Sequence, residues 1–302
     1  MSLKNYCFFV FFVFFVVKIK PIRNGTTTMK DKKIVFIGAG NMAAALIKGL
    51  IQDGHPAENI TAADPDHDKL NLIRKQTGIG VNSDNSAAIA DADVVVIAVK
   101  PQIIATVASG ISAAVAERQP LVISIAAGIP TSHLQQWLGE TAAIVRTMPN
   151  TPAMLQAGAT GLFAAADVDA EQHSLAESIM RAVGLTIWVE EESLIDAVTA
   201  VSGSGPAYFF LFMEHMIRAA KALGLPDESA HLLTLQTALG ASRMALESDD
   251  NPATLRTMVT SPGGTTEQAI NAFEAGGLEQ LVMDAMRAAR DRSIELSSQI
   301  QD

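Results

Sequence analysis

Two stretches of the chain join glycines to groups that bind anions. In the first, Ile34-Val35-Phe36-Ile37-Gly38-Ala39-Gly40-Asn41-Met42-Ala43 sets a Gly-x-Gly-x-x-Ala turn between an apolar run and a helical pattern beginning around Met42. Gly38 permits a tight turn, Gly40 lets the backbone approach a pyrophosphate, and Ala43 is small enough for close packing of helix on strand. The helix amino terminus adds unpaired N–H groups and a partial positive charge, so a dinucleotide suits this loop. The second stretch, Val259-Thr260-Ser261-Pro262-Gly263-Gly264-Thr265-Thr266-Glu267-Gln268, reads as a turn feeding a helix, with Thr265 and Gln268 at capping-box spacing. Stability alone accounts for that spacing. The two glycines beside hydroxyl side chains also expose backbone N–H groups able to cradle a small carboxylate.

These loops need elements to hold them. From residue 32 to about 189, short apolar runs alternate with helical patterns, which predicts βα units and a largely parallel sheet. Strands are predicted over 33–38, 60–64, 93–99, 121–126, 143–148 and 185–189. The run 93–99 lacks alternation, as a central strand covered on both faces should. After residue 192 the strand signal stops. Helical spacing takes over at 193–201, 206–223, 227–247 and 278–297, with Pro206 suited to a first turn and Gly224 to a stop. The fold class is therefore α/β plus all-α: a Rossmann-type dinucleotide-binding domain over 29–192, then a helical domain over 193–302. The segment 208–213 is apolar nearly all round, so it is expected to be buried in its own domain or against another subunit.

Composition narrows the class. The 302 residues are 49% hydrophobic and 18% charged, which favours two packed domains over a disordered chain. A net charge of −10 repels phosphate backbones and argues against a nucleic-acid partner. The single cysteine, Cys7, cannot form an internal disulfide, and no Cys/His spacing resembles a metal site; a reducing compartment, the cytoplasm, is expected. The Phe/Val run 8–17 is about half the length of a membrane span. It is followed by lysines and a proline where a signal peptide would carry small residues, so residues 1–28 are read as a non-native or disordered extension before Met29, and no membrane partner is expected.

Several side chains remain open to two readings. Asp64, ending the second strand, sits where a ribose diol is bound in such folds, yet it could equally begin a turn before Pro65. As no arginine follows in Asp66-His67-Asp68, its charge favours NADH slightly over NADPH. Ala98-Val99-Lys100-Pro101 lies at the carboxyl edge of the sheet, where ligands bind, although Lys100 could be merely solvated. Arg146 could meet a charged ligand or cap a strand end. The six histidines are scattered without a carboxylate partner in sequence, and Met42, Met148 and Met154 read as packing.

Four further blocks join the glycine loop: Ala98 to Pro101, Arg146-Thr147-Met148-Pro149-Asn150-Thr151-Pro152, Ser202-Gly203-Ser204-Gly205-Pro206-Ala207-Tyr208, and Ser261 to Thr266. In this order and spacing the chain closely resembles the pyrroline-5-carboxylate reductases, from about residue 32 to 297. The resemblance implies reduction of the cyclic imine 1-pyrroline-5-carboxylate to L-proline with NADPH or NADH, the last step of proline biosynthesis. It implies that Ile37, Gly38, Ala39, Gly40, Asn41, Met42, Asn85, Ala98, Val99, Lys100 and Pro101 surround the dinucleotide, with Asp64 beside the ribose. Ser261, Gly264, Thr265 and Thr266 would then hold the substrate, with Thr266 as the catalytic group at the ring nitrogen. Glu192 is a weaker candidate for the amine end of proline, against a solvated carboxylate at a helix start. A helical domain of this family makes an intertwined homodimer, often within a larger ring, each site drawing on two subunits. Asp64 stands where many members carry a hydroxyl or basic residue.

Three other functions compete, one of them a membrane-anchored interaction protein that rests only on the run 8–17. A β-hydroxyacid dehydrogenase-like oxidoreductase needs a base for the hydroxyl proton, and such enzymes use a lysine on the first long helix after the linker. Here the first lysine on that helix is Lys221, far from its start. A non-catalytic NAD(P)-binding regulatory protein would leave the second glycine turn without a purpose.

Overall fold

A computed structural model describes residues 29–299 of the chain; the run 8–17 lies outside them. Strand β1 (Ile34–Ile37) leads into α1 (Asn41–Gln52), β2 (Ile60–Ala63) into α2 (His67–Thr77), and β3 (Gly80–Asn82) into α3 (Asn85–Ile89). β4 (Val94–Ile97), α4 (Pro101–Arg118), β5 (Leu121–Ser124), α5 (Thr131–Leu138) and β6 (Ile144–Met148) continue the alternation. β7 (Gly158–Ala164), α6 (Ala170–Arg181) and β8 (Gly184–Trp188) complete it. Among the described residues these strands form one sheet in the order β3-β2-β1-β4-β5-β6-β7-β8. All neighbours are parallel except β6 and β7.

β1 and β4 pair from Ile34 with Val94 to Ile37 with Ile97, and every residue of both is buried. Their side chains alternate between two layers. Ile34 and Phe36 pack with α1, α2 and α6, whereas Val35 and Ile37 pack with α3, α4 and α5. Because β1 lies between β2 and β4, the connections leave in opposite directions there and open a crevice beyond the carboxyl ends of the strands.

The sheet has two strands that periodicity did not predict. β3 is three residues long. β7 carries Gly158 and Gly161, which weaken a strand signal, but a Cβ on Gly161 would come within 2.7 Å of the Val198 side chain. Close approach of the following helices therefore sets the composition of β7.

Those helices begin with α7 (Leu194–Val198), which runs through a π turn at Thr199–Gly203 into α8 (Gly205–Ala222). The Ser204 N–H closes that turn on the Thr199 carbonyl at 2.8 Å. α9 (Asp227–Glu247), α10 (Pro252–Met258), α11 (Thr265–Ala275) and α12 (Leu278–Gln299) follow; α10 was not predicted. α12 returns to pack along α7 and the π turn. Gly128, at φ +73° after β5, admits it closely, since a Cβ there would stand 3.4 Å from Leu296 Cβ.

This half has almost no core of its own. α8 buries only Gly205, and α9 only Ala230 and Thr234, while α10 and α11 bury nothing. Phe209 and Phe210 are 63% and 65% exposed, so the 208–213 run is not buried within its own domain.

Candidate active site

The glycine loop crosses the crevice at the end of β1. Gly38 has φ +103°, and a Cβ there would stand 2.6 Å from the Ala98 carbonyl oxygen, so the fold itself requires glycine. Gly40 differs: its φ is −76°, and an added Cβ would meet nothing within 4 Å. No protein contact requires glycine at position 40, and the backbone there is open to the approach of a ligand. Gly40 is also the N-cap of α1, and no side chain caps it, so the first-turn N–H groups of α1 face outward. A dinucleotide pyrophosphate fits this opening. The adjoining cleft, about 390 Å³, brings together Ile37, Gly38, Gly40, Asp64, Asn85, Ala98, Val99 and Lys100. Asn41 lines the groove on the other side of the loop, while Ala43 is buried against the sheet. Pro101 opens α4 with Lys100 as its N-cap.

Asp64 forms the turn before Pro65 and also holds the glycine loop. Its Oδ2 accepts the Ala39 N–H at 2.9 Å, clamping the glycine loop, and its Oδ1 accepts the Asp66 N–H at 2.9 Å, forming the turn around Pro65. The residue is 8% exposed. A positive charge that the sequence reading overlooked also stands here: Lys69 Nζ lies 3.8 Å from Asp64 Oδ1 and 3.4 Å from Asp66 Oδ2. Lys69 therefore offsets part of the charge that Asp64 would present to a 2′-phosphate. It sits one residue beyond Asp66-His67-Asp68, still in the first turn of α2.

The second glycine turn is formed as a turn. Gly264 N–H donates to the Ser261 carbonyl at 3.0 Å, with Gly263 at φ +70°. The N-cap of α11 is Gly264, with no side-chain cap, so the capping box expected between Thr265 and Gln268 is absent. Thr265 is already inside the helix, one residue too late to cap it. Glu267 instead turns back, its Oε2 accepting the Gly263 N–H at 2.8 Å. That fills one donor of the turn and leaves the first-turn N–H groups of α11, beside the hydroxyls of Ser261, Thr265 and Thr266, directed outward. A small carboxylate suits that arrangement.

Glu192 requires correction. It is not a solvated helix start: Oε1 accepts the Thr131 N–H at 2.7 Å and Arg146 Nη1 at 3.0 Å, and Oε2 accepts the Thr131 hydroxyl at 2.8 Å. Arg146, 3% exposed, neither caps a strand end nor faces a ligand cleft; its Nη2 approaches Asp196 at 3.7 Å, and Asp196 accepts the Ser293 hydroxyl at 2.7 Å. This chain of contacts ties β6, α5, α7 and α12 together. The neighbouring motif blocks meet likewise. Asn150 donates from Nδ2 to the Ser202 carbonyl at 3.0 Å, in the π turn, and accepts the Ala159 N–H of β7 at 2.9 Å. Gly203 leaves room for Met148, whose Cε would stand 2.5 Å from a Cβ there. Among the described residues no cluster of His, Cys, Asp and Glu could hold a metal ion.

Comparison with known proteins matches both halves. Residues 192–296 match the family described as pyrroline-5-carboxylate reductase dimerisation, and residues 33–128 that described as NADP oxidoreductase coenzyme F420-dependent. The pyrroline-5-carboxylate reductase of Pseudomonas aeruginosa is 53% identical over 272 residues, covering 90% of this chain and 99% of the relative. That of Escherichia coli is 38% identical over 269 residues, covering 88% and 99%. A solved pyrroline-5-carboxylate reductase from Coxiella burnetii superposes with a TM-score of 0.85 at 50% identity, covering 88% of this chain and 98% of that one. The Plasmodium falciparum enzyme, solved with NADP bound, gives 0.79 at 30% identity, covering 89% and 100%. The chain belongs to the pyrroline-5-carboxylate reductase family.

Proposed function

We propose that the chain reduces 1-pyrroline-5-carboxylate to L-proline with NADPH or NADH, residues 29–192 holding the coenzyme and residues 193–302 the substrate and a second subunit. The observation that carries this reading is a pair of helices led by a glycine N-cap with no side chain over it, α1 at Gly40 and α11 at Gly264, suited to a pyrophosphate and to a small carboxylate. A bound nicotinamide supplies the hydride, which goes to the C=N carbon of the ring. The electron pair of the C=N bond comes to rest on nitrogen. If the imine enters protonated, the transfer itself needs no acid from the protein, the amine that forms takes its second proton from water, and positioning dominates the rate.

The residues then divide the work. Backbone N–H groups at Thr265 and hydroxyls at Ser261 and Thr265 hold the carboxylate, with Gly264 keeping the turn open. The Thr266 hydroxyl accepts a hydrogen bond from the ring nitrogen, making it the catalytic group. Ile37 to Met42 and Asn85 hold the dinucleotide, and Ala98 to Pro101 line the place of the nicotinamide.

Exposed Phe209, Phe210, Leu233 and Leu281 give the helical half a face that a second copy covers, so the unit is a homodimer, with a ring of dimers as the larger assembly. The continuous helix Leu194–Ala222 is long and apolar enough to cross a bilayer, and the same subunit contact accounts for that composition. With a charge of −10 and no nucleic-acid or membrane partner, the enzyme works in the cytoplasm. Initial rates with pyrroline-5-carboxylate, using NADH and NADPH in parallel, test the reading. Turnover with at least one coenzyme, reduced about tenfold in Thr266→Ala by loss of one hydrogen bond to a charged group, is expected. Inactivity with both, or an unchanged Thr266→Ala enzyme, would reject it.

A further inference from the structure

We infer that Lys69 is the residue by which this chain reads the 2′-phosphate of a coenzyme, its charge offsetting that of Asp64 beside it. The inference rests on the nucleotide reading of the cleft. In a sheet of this order the adenosine ribose lies beyond β2, and a free carboxylate there takes the ribose diol and repels a phosphate. Asp64 occupies that place, and each of its oxygens accepts one backbone N–H, from Ala39 and from Asp66, which fixes the carboxylate against the glycine loop and the Pro65 turn.

Lys69 supplies the charge. Its Nζ stands 3.8 Å from Asp64 and 3.4 Å from Asp66, both longer than a charge-assisted hydrogen bond, and its side chain is 51% exposed. The ammonium is therefore near both carboxylates without being tightly held by either, and can turn to a dianion. It lines the coenzyme cleft beside Asp64 and Asn85 as well as the groove between α1 and α2. Lys48 lines that groove too, and among the described residues lining it there is no acidic side chain. The first turn of α2 is not an alternative donor. Its Asp68 and Lys69 N–H groups are already held by the Asp66 carboxylate at 3.0 and 3.2 Å.

Calorimetric titration of the full-length protein with ADP and with 2′,5′-ADP isolates this one phosphate without turnover. The wild type is expected to bind 2′,5′-ADP more tightly than ADP. Lys69→Gln should lose about tenfold for 2′,5′-ADP while ADP changes by less than about twofold, and Lys69→Arg should regain most of the difference. A Lys69→Gln protein that weakens both ligands alike, or that binds 2′,5′-ADP unchanged, would overturn the assignment to Lys69 while leaving the nucleotide site in place. Failure of the wild type to bind either ligand would overturn the inference together with the reading of the cleft.

Discussion

Arg146 Nη1 lies 3.0 Å from Glu192 Oε1, joining the sheet to the residue that stands just ahead of the helices. The Arg146 side chain is only 4% exposed, so Glu192→Ala would leave a buried guanidinium with only the longer approach of Asp196 at 3.7 Å and is expected to cost about 3 kcal/mol. Arg146→Met keeps the apolar stem, and leaves Glu192 bonded to Thr131 and Asp196 bonded to Ser293. It should cost clearly less. Denaturant unfolding at one fixed protomer concentration compares the two; equal losses would mean that the buried charge is not what the pair accommodates.

The two glycines of the first loop should separate fold from ligand. Gly38→Ala is expected to destabilise the protein by about 1–3 kcal/mol through strain at positive φ. Gly40→Ala should stay within about 0.5 kcal/mol of the wild type in stability, as an open surface change does, yet bind ADP at least about tenfold more weakly. A Gly40→Ala protein with unaltered ADP affinity would show that the pyrophosphate does not approach that backbone.

Stability should fall on the acid side through His55, which is 3% exposed. Burial pushes its imidazole below the usual histidine range; Lys30 adds to this, and a backbone bond at Lys32 and the Glu58 charge oppose it. The unfolded chain therefore binds the proton more readily than the folded one. The stability contribution is full above about pH 6.5 and is lost as pH falls from there toward the folded value. Thermal unfolding of wild type and His55→Leu at pH 7.5 and 5.5 measures this: the wild type should lose more melting temperature than the variant. Parallel losses would assign the acid limb to other groups.

Subunit contact can be tested on α8. Phe212 meets Phe273 of α11 with the rings tilted at 42° and their centroids 5.9 Å apart, whereas Phe210 is 65% exposed within the chain. Phe210→Glu is expected to shift sedimentation from dimer or larger to monomer at micromolar protein. An unchanged mass would place the contact elsewhere on the helices.

What could be read in the sequence follows from physical range. β1 and β4 were legible because both faces of each strand are covered, which leaves an unbroken apolar run. The glycine loop was legible because its function is encoded within ten consecutive residues. β7 was not, since Gly161 answers to Val198, 37 positions away in the chain. Glu192 was misread for the same reason: its partners Thr131 and Arg146 lie 61 and 46 residues back, and nothing local distinguishes it from a solvated carboxylate. Lys69 lay within range but just past the residues weighed against Asp64. The missing core of the helical half was only half legible, because the apolar run at 208–213 announces burial without saying by what.

A crystal structure with L-proline and NADP+ bound addresses the central proposition most directly. The proline carboxylate is expected on the N–H groups at the start of α11, its ring nitrogen within hydrogen-bond reach of the Thr266 hydroxyl, and its ring facing the nicotinamide in a cleft lined by Lys100. Proline bound away from Ser261 to Thr266, or held there with the nicotinamide too distant for hydride transfer in the assembled dimer, would contradict it.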